Sequence, residues 1–408
     1  MSAIAQMDAV VLPEMDFSNR TSSSSIFGLV TLRGAFSEIG EASSITVRVN
    51  DLTATFAADQ CVRHVSETGR IVLVNLMTHL MPDGPAKISM DMKLVDGRTV
   101  SFPPKSINIA NTTPLARHVA EDLRRHGTPP ILPRIIDSSM FPYQDGQTKA
   151  WFDEINPTDV LLSFEQSHDI EGAHRHLERW GFCILPERLT DDLIDGFKAQ
   201  LDEAIADGRL PFEHGSSQRI LNAHRLEYGR QIWLYPPVMR FLERHFRDEP
   251  CACQTLTYVN GSQQDAHQDT IHLTPYPAGF MCGVWIALED VQPMSGELFV
   301  YPGSHRSPRL RAGELGLEKV DEDYSSYAVF DQEVQQLMRE GGFERASYQP
   351  KAGQILVWHE NLVHGGSPRA DLSRTRKSIV SHYFSKGAVA YYDSRGEAAA
   401  LESLQGLA

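Results

Sequence analysis

Cysteine is scarce in this chain of 408 residues: Cys61, Cys183, Cys251, Cys253 and Cys282 are an odd number, with no pair repeated at zinc-ribbon spacing. A disulfide framework is thereby excluded, and buried thiols in a reducing compartment are expected, Cys251 and Cys253 lying in a strand-like stretch. Basic charge is also in deficit, 38 Lys and Arg against 53 Asp and Glu, for a formal net charge of −15. That leaves no positive footprint for a nucleic-acid backbone or an anionic membrane surface. No apolar run approaches the ~18 residues of a membrane span. Met1 to Asn19 lacks the basic start and apolar core of a leader, so the expected location is the cytoplasm.

What is present is the composition of a folded globular chain, 41% hydrophobic and 22% charged. The length calls for two cores at ~100–200 residues per domain. After a polar start containing Ser22 to Ser25, the first third reads as short strands. Ile88, Met90, Met92 and Leu94 alternate with Ser89, Asp91 and Lys93, and Asp96-Gly97 marks a turn into Thr99–Phe102. Similar runs at Ile26–Leu32, Ile45–Val49 and Ile71–Leu76 predict an immunoglobulin-like β-sandwich over residues 21–112. A charged helical segment near Leu115 to Gly127, followed by Thr128-Pro129-Pro130 and Pro133, places the connection at 113–156. Every candidate ligand lies beyond Ile155, so a chain shortened to that point is expected to keep the catalytic constellation.

The second unit, 157–395, begins with helices at Gly172–Trp180 and Thr190–Asp207, Thr190 being the expected N-cap, around a short strand at Gly181–Leu185. Strands then dominate: Gln254–Val259, Gly279–Leu288, Glu297–Tyr301, Gln354–Val357 and Lys377–Phe384. This pattern predicts an antiparallel barrel or jelly roll, giving a mainly β protein with flanking helices.

His267-Gln268-Asp269 projects an imidazole and a carboxylate from one face of an extended backbone. A third ligand is expected from His364, after the apolar run Ile355 to Trp358 and before Gly365-Gly366, which permit a sharp turn beside a metal; His359 is the rival. Two His and one carboxylate leave one octahedral face open, as an iron(II) oxygenase requires to admit a bidentate cosubstrate and O₂ together. 2-Oxoglutarate needs a cation for its distal carboxylate, and the planar fork of Arg suits it. Arg376 shares a strand face with Ser378, Val380 and His382, so Arg376 and Ser378 are the candidates, with Arg374 as the alternative.

From Pro157 to Asp393 the chain resembles the phytanoyl-CoA dioxygenase family of iron(II)/2-oxoglutarate oxygenases. The resemblance rests on Gly181 to Pro186, His267-Gln268-Asp269, Trp285 to Leu288, Ser295 to Leu298, Pro302-Gly303-Ser304-His305, Trp358-His359, His364 to Pro368, and Thr375-Arg376-Lys377-Ser378 running into His382-Tyr383. It implies a double-stranded β-helix, iron held by His267, Asp269 and His364, and the cosubstrate carboxylate held by Arg376 with Ser378. It also implies cosubstrate contacts from Gln254 and Trp285. The implied reaction hydroxylates an unactivated C–H of a small molecule, consuming O₂ and releasing succinate and CO₂. Related halogenases replace the carboxylate ligand, and Asp269 argues against that outcome. The alternatives are a cupin-like metalloenzyme without cosubstrate, against which Arg376 counts, and a catalytically silent glycan- or protein-binding protein.

The family pattern leaves the first third uncovered, and a glycan or protein contact, a homo-oligomer interface or a structural role is open to it. The charged segment Pro308 to Tyr348, with a helix expected at Glu333–Arg339, has the character of a lid. His305 reads as a turn residue, and His272 as a residue either of the pocket or of the surface or packing. Tyr235 and Arg219 are weaker candidates.

Overall fold

The buried side chains of Ile88, Met90, Met92 and Leu94, with more exposed residues between them, follow the period of two read from the sequence, within a strand Gly84–Leu94. The computed structural model describes residues 14–17, 25–37, 40–64, 69–143, 150–213, 219–321 and 323–403. Serines 22 to 24 of the polar start, and all of the supposed leaderless segment except residues 14–17, lie outside them. Two sheets build the N-terminal unit. In one, Glu14–Phe17, Leu29–Ser37 and Gly69–Met77 are neighbours in that order, with Val62–His64 on the far edge. In the other the order is Lys105–Ile109, Gly84–Leu94, Ala42–Val49, Leu52–Ala57. Leu32, Val72 and Val74 from the first meet Ile45, Val47, Ile88 and Met90 from the second in a shared core.

The connection is packed on both sides. Helix α1, Pro114–His126, starts with Pro114 behind a Thr113 cap that accepts from Ala116 N, and ends on Gly127 in the left-handed region. Its Val119 and Leu123 join Leu29 and Met77 of the sandwich, Phe141 of the connection, and Tyr276, Val389 and Tyr391 of the C-terminal unit in one cluster. Further on, Ala150 and Phe152 belong to the core of the C-terminal unit itself. A chain begun at Ile155 therefore loses Phe141, Ala150 and Phe152, and a buried Phe is worth ~3–5 kcal/mol against a total stability of ~5–15. Contrary to the expectation from the ligand positions alone, such a chain should show no cooperative thermal transition by circular dichroism. A sharp melt would show that the shared cluster is dispensable.

In the C-terminal unit a six-stranded sheet runs Phe182–Ile184, Ile355–His359, Met281–Ala287, Ser378–Ser385, Pro250–Tyr258, Ile220–Leu221. A smaller sheet, Ala346–Tyr348, Leu298–Val300 and His364–Gly366, faces it, and an antiparallel bridge from His267 to His364 extends it by one residue. Phe182, Trp285, Leu298, Val300, Leu356 and Val380 fill the space between them, so the arrangement is a jelly roll. The outer face of the large sheet, through Val284, Ile286, Val357, Ile379 and Tyr383, is covered by helices. These are α2 (Ile170–Trp180), α3 (Asp191–Ala206), α4 (Glu227–Trp233) and α5 (Pro236–Phe246). Thr190 occupies the N-cap position of α3, although its hydroxyl makes no capping hydrogen bond. Helices α4 and α5 escaped the sequence reading, though Pro236 and Pro237 in the first turn of α5 are a start signal.

The 308–348 insertion contains helix α6, Ala328–Glu340, longer than the helix read from the sequence. Its root is fixed rather than free. The Arg309 guanidinium lies between Glu360, at 2.8 Å, and Asp153, at 2.7 Å, while Lys319 pairs with Asp137 and Asp393. Tyr327, Phe330, Val334 and Met338 pack on Ala266, Phe299 and Val363 beside the mouth of the jelly roll.

Candidate metal centre and cosubstrate pocket

Register builds the site. Along the inner face of the large sheet, Gln254, His382, Gly283 and Trp358 are direct cross-strand neighbours, and Leu256, Val380, Trp285 and Leu356 form the next such row. Beyond it stand Tyr258 and Ser378, then Arg376. A bulge between Ala252 and Gln254 shifts the register of the first strand where it enters the site.

His267, Asp269 and His364 come together opposite the first row, with one ligand atom from each lying within 4.8 Å of the others. Nε2 of His267 and of His364 are 3.6 and 3.8 Å from Asp269 Oδ1. Each ring's Nδ1–H donates to a backbone carbonyl two residues back, Asp265 O at 2.8 Å and Leu362 O at 2.9 Å. This sets the tautomer and turns a bare Nε2 lone pair toward the shared point. Asp269 would be pushed up by burial, but His364, His267 and His382 around it hold it well below the usual carboxylate range. It is therefore an anion at neutral pH, completing a donor set of two nitrogens and one oxygen that fits iron(II).

Gly365 and Gly366 do a different job from the turn expected of them. They lie in the strand His364–Gly366, and a Cβ at Gly365 would stand 2.7 and 2.9 Å from the carbonyl oxygens of Gln264 and Asp265. The two metal-bearing segments can pair side by side only without those side chains. His359 is turned away from the triad, with its Nε2 3.1 Å from Asp153 Oδ1.

A cavity of about 470 Å³ opens from the triad. Arg376, Trp285, Gln254 and His382 line it together with the three ligands. Arg376 is only 2% exposed, and burial lowers it to about 10, which leaves it charged at neutral pH. Among the described residues its side chain makes no ion pair, and Arg376 Nε, Ser378 Oγ and Trp285 Nε1 are buried without hydrogen-bond partners. Its guanidinium carbon lies 5.5 Å from the ring centroids of Tyr258 and Trp285. An unpaired buried guanidinium is costly, so these donors fit a bidentate anion such as the distal carboxylate of 2-oxoglutarate. Arg374, the alternative, sits at the surface on Asp371 and Pro293 O.

His272 and Arg219 also line the cavity, as do Tyr324, Tyr327, Phe330 and Asp331 from the insertion. Tyr235 donates to Arg188 O, and His305 is buried beside His359; neither is among the lining residues. Sequence reasoning gave no role to Gln268, whose buried side chain donates to Pro308 O and accepts from Leu310 N, tying the metal motif to the root of the insertion. Nor did it assign one to Trp358, whose Nε1–H donates to Asp269 Oδ2 at 2.8 Å. Trp358 opposite Gly283 was the available signal, visible only once the register is known.

A jelly roll carrying this donor set beside a buried anion cradle defines the class: an iron(II)- and 2-oxoglutarate-dependent dioxygenase, with O₂ as the oxidant. Residues 177–375 match the phytanoyl-CoA dioxygenase (PhyH) family. The peroxisomal phytanoyl-CoA dioxygenase of Rattus norvegicus is 23% identical over 256 residues, covering 55% of this chain and 68% of that protein. A probable phytanoyl-CoA dioxygenase of Caenorhabditis elegans is 26% identical over 143 residues, 33% of this chain and 40% of the relative. Among solved structures, the non-heme alpha-ketoglutarate-dependent carbocyclase SnoK from nogalamycin biosynthesis is 17% identical, covering 56% of this chain and 90% of its own, with a TM-score of 0.45. EctD from S. alaskensis with bound Fe is 18% identical, with coverages of 56% and 82% and a TM-score of 0.41. No helix among the described residues is long and apolar enough to cross a membrane.

Proposed function

We propose that the protein hydroxylates an unactivated C–H of a small molecule at this cavity. His267, Asp269 and His364 would hold iron, and Arg376 and Ser378, with Trp285, would hold 2-oxoglutarate. The observation that carries the reading is the pairing, in one cavity, of three converging ligand atoms with a buried arginine that makes no ion pair among the described residues. When bound, iron and 2-oxoglutarate supply O₂ activation, with release of succinate and CO₂. The chain's own residues do the rest. Arg376 orients the cosubstrate, while Tyr324, Tyr327 and Phe330 of the insertion wall the substrate side and limit access of water. A volume of about 470 Å³ matches a metabolite-sized ligand. Gln254 lines the same cavity and would stand beside the cosubstrate, while its amide nitrogen lies 3.4 Å from His382 Nδ1.

For the N-terminal unit we infer an immunoglobulin-like sandwich over 21–112, joined by 113–156 to the catalytic unit 157–395. The two sheet orders support it, since they correspond to strands A-B-E-D and G-F-C-C′. Five free, buried thiols accord with a reducing cytoplasm. A shared interdomain cluster favours a structural role for the sandwich, with an oligomeric or glycan contact left to its outer faces.

The reading is tested by incubating the protein with iron(II), ascorbate, O₂, 2-oxoglutarate and a panel of small molecules, and measuring succinate and product mass. The expected result is substrate-stimulated succinate matched by a product that has gained one oxygen atom. An iron-loaded protein that releases no succinate under any condition would sink it.

A further inference from the structure

Two side chains of the large sheet reach one oxygen of Asp269, and it is not the oxygen that faces the metal point. Oδ1 faces Nε2 of His267 and His364, whereas Oδ2 accepts from Trp358 Nε1–H at 2.8 Å and stands 3.5 Å from His382 Nε2. Gly283 allows this convergence. It lies between His382 and Trp358 in the same cross-strand row, and a Cβ there would stand 2.2 Å from the Trp358 indole. Only glycine lets the indole lie across that strand toward Asp269.

The far side of His382 is also engaged, because Gln254 Nε2 lies 3.4 Å from His382 Nδ1. An amide nitrogen only donates, so Nδ1 accepts from it, and Nε2 is the ring nitrogen that bears hydrogen toward Asp269. A protonated Nε2 has no lone pair for a metal. His382 is thus kept from becoming a fourth ligand although it touches the triad.

We propose that His382 is a positioning residue for the iron site. With Trp358 it holds Asp269 Oδ2 by N–H donation, so that the carboxylate offers the metal one oxygen only, and Gln254 sets the tautomer that this needs. The consequence lies in coordination arithmetic. An octahedral ion with two imidazoles and a one-oxygen carboxylate has room for a bidentate cosubstrate and O₂, whereas a carboxylate turning both oxygens inward would occupy the last position. This inference rests on the iron reading of the triad and goes beyond it by assigning the control of that open position.

Cobalt(II), which reports its coordination number through visible absorption, is the probe, titrated into the full-length protein with and without 2-oxoglutarate. His382→Leu removes the donor, whereas His382→Gln returns an amide N–H near the position of Nε2. Loss of an outer hydrogen-bond partner typically costs about 10–100-fold in metal affinity, and His382→Leu should fall in that range with an altered cobalt spectrum. His382→Gln should recover most of the affinity and the native spectrum. Native affinity and spectrum in His382→Leu would overturn the proposal, as would a Gln variant no better than Leu, which would mark a packing role. If circular dichroism shows that His382→Leu does not fold, Gln254→Leu frees the tautomer while leaving the ring, and should weaken cobalt binding by a smaller factor with the same spectral change. An unchanged spectrum and affinity there would overturn the proposal too. Failure of the unaltered protein to bind cobalt at all would overturn the triad reading, and this inference with it.

Discussion

His267→Ala and Asp269→Ala proteins are expected to fall below about 1% of native turnover, because each loses a metal ligand, a larger change than the 10–100-fold typical of outer partners. The effect is chemical rather than structural. His267 stays linked to His364 through its backbone bridge, with N···O distances of 3.0 and 3.1 Å, whatever its side chain. Asp269→Ala strands the Trp358 N–H, at a cost of ~1–3 kcal/mol, but also removes a buried anion from the metal-free protein. At roughly 2–4 °C per kcal/mol in a domain of 150–250 residues, the metal-free melting temperature should move only a few degrees. Metal addition separates the two explanations. A ligand at one hundred times its dissociation constant stabilises by ~2.7 kcal/mol, so manganese(II) should raise the melting temperature of the native protein and leave both variants unmoved. Near-native turnover in either variant at saturating iron would show that the triad is misassigned.

Arg376→Lys is expected to weaken 2-oxoglutarate roughly ten- to hundred-fold, since hydrogen bonds to charged partners are worth ~1.5–3 kcal/mol and lysine cannot form the bidentate fork. Burial adds to the loss. It already lowers Arg376 to about 10, and lysine starts some two units or more below arginine, so the same surroundings would draw its amine toward neutrality. Iron affinity should be unchanged, because Arg376 stands at the far end of the strand rows from His382 and the triad. Anaerobic titration of 2-oxoglutarate into the iron(II) protein, followed by its metal-to-ligand charge-transfer band, reads the cosubstrate alone. Arg374→Lys serves as the control: that side chain is 36% exposed on Asp371 and should bind the cosubstrate as the native protein does. Unchanged affinity in Arg376→Lys with a large loss in Arg374→Lys would move the role to Arg374. Absence of the band in the unmodified protein would remove 2-oxoglutarate from the account.

Much of this protein was written in local pattern. The period of two in Gly84–Leu94, the Thr113-Pro114 start and Gly127 end of α1, and the same-face spacing of Arg376, Ser378, Val380 and His382 depend on residues a few positions apart. So does the two-residue spacing of His267 and Asp269. The β character, the first three helices, the candidate ligands and the candidate cation were therefore legible before any coordinates. Other features depend on residues far apart in the chain, and only tertiary structure decided them. Whether His359 or His364 faces the metal point turns on where each is placed: His359 ends a strand of the large sheet in the outward row of Cys282 and Tyr383 and meets Asp153, whereas His364 opens a strand of the smaller sheet opposite. The roles of Gly365 and Gly283 come from the close approach of the segment at Gln264–Asp265 and of Trp358, neither of which leaves a signal in the neighbouring sequence. The seemingly separate linker proved to be core on both sides, because Phe141, Ala150 and Phe152 bury themselves against residues a hundred or more positions away. Spacing along the chain can nominate side chains with the right chemistry, but strand register and close packing choose among them, since a pleated sheet sends alternate residues to opposite faces and a one-residue slip would exchange site for core.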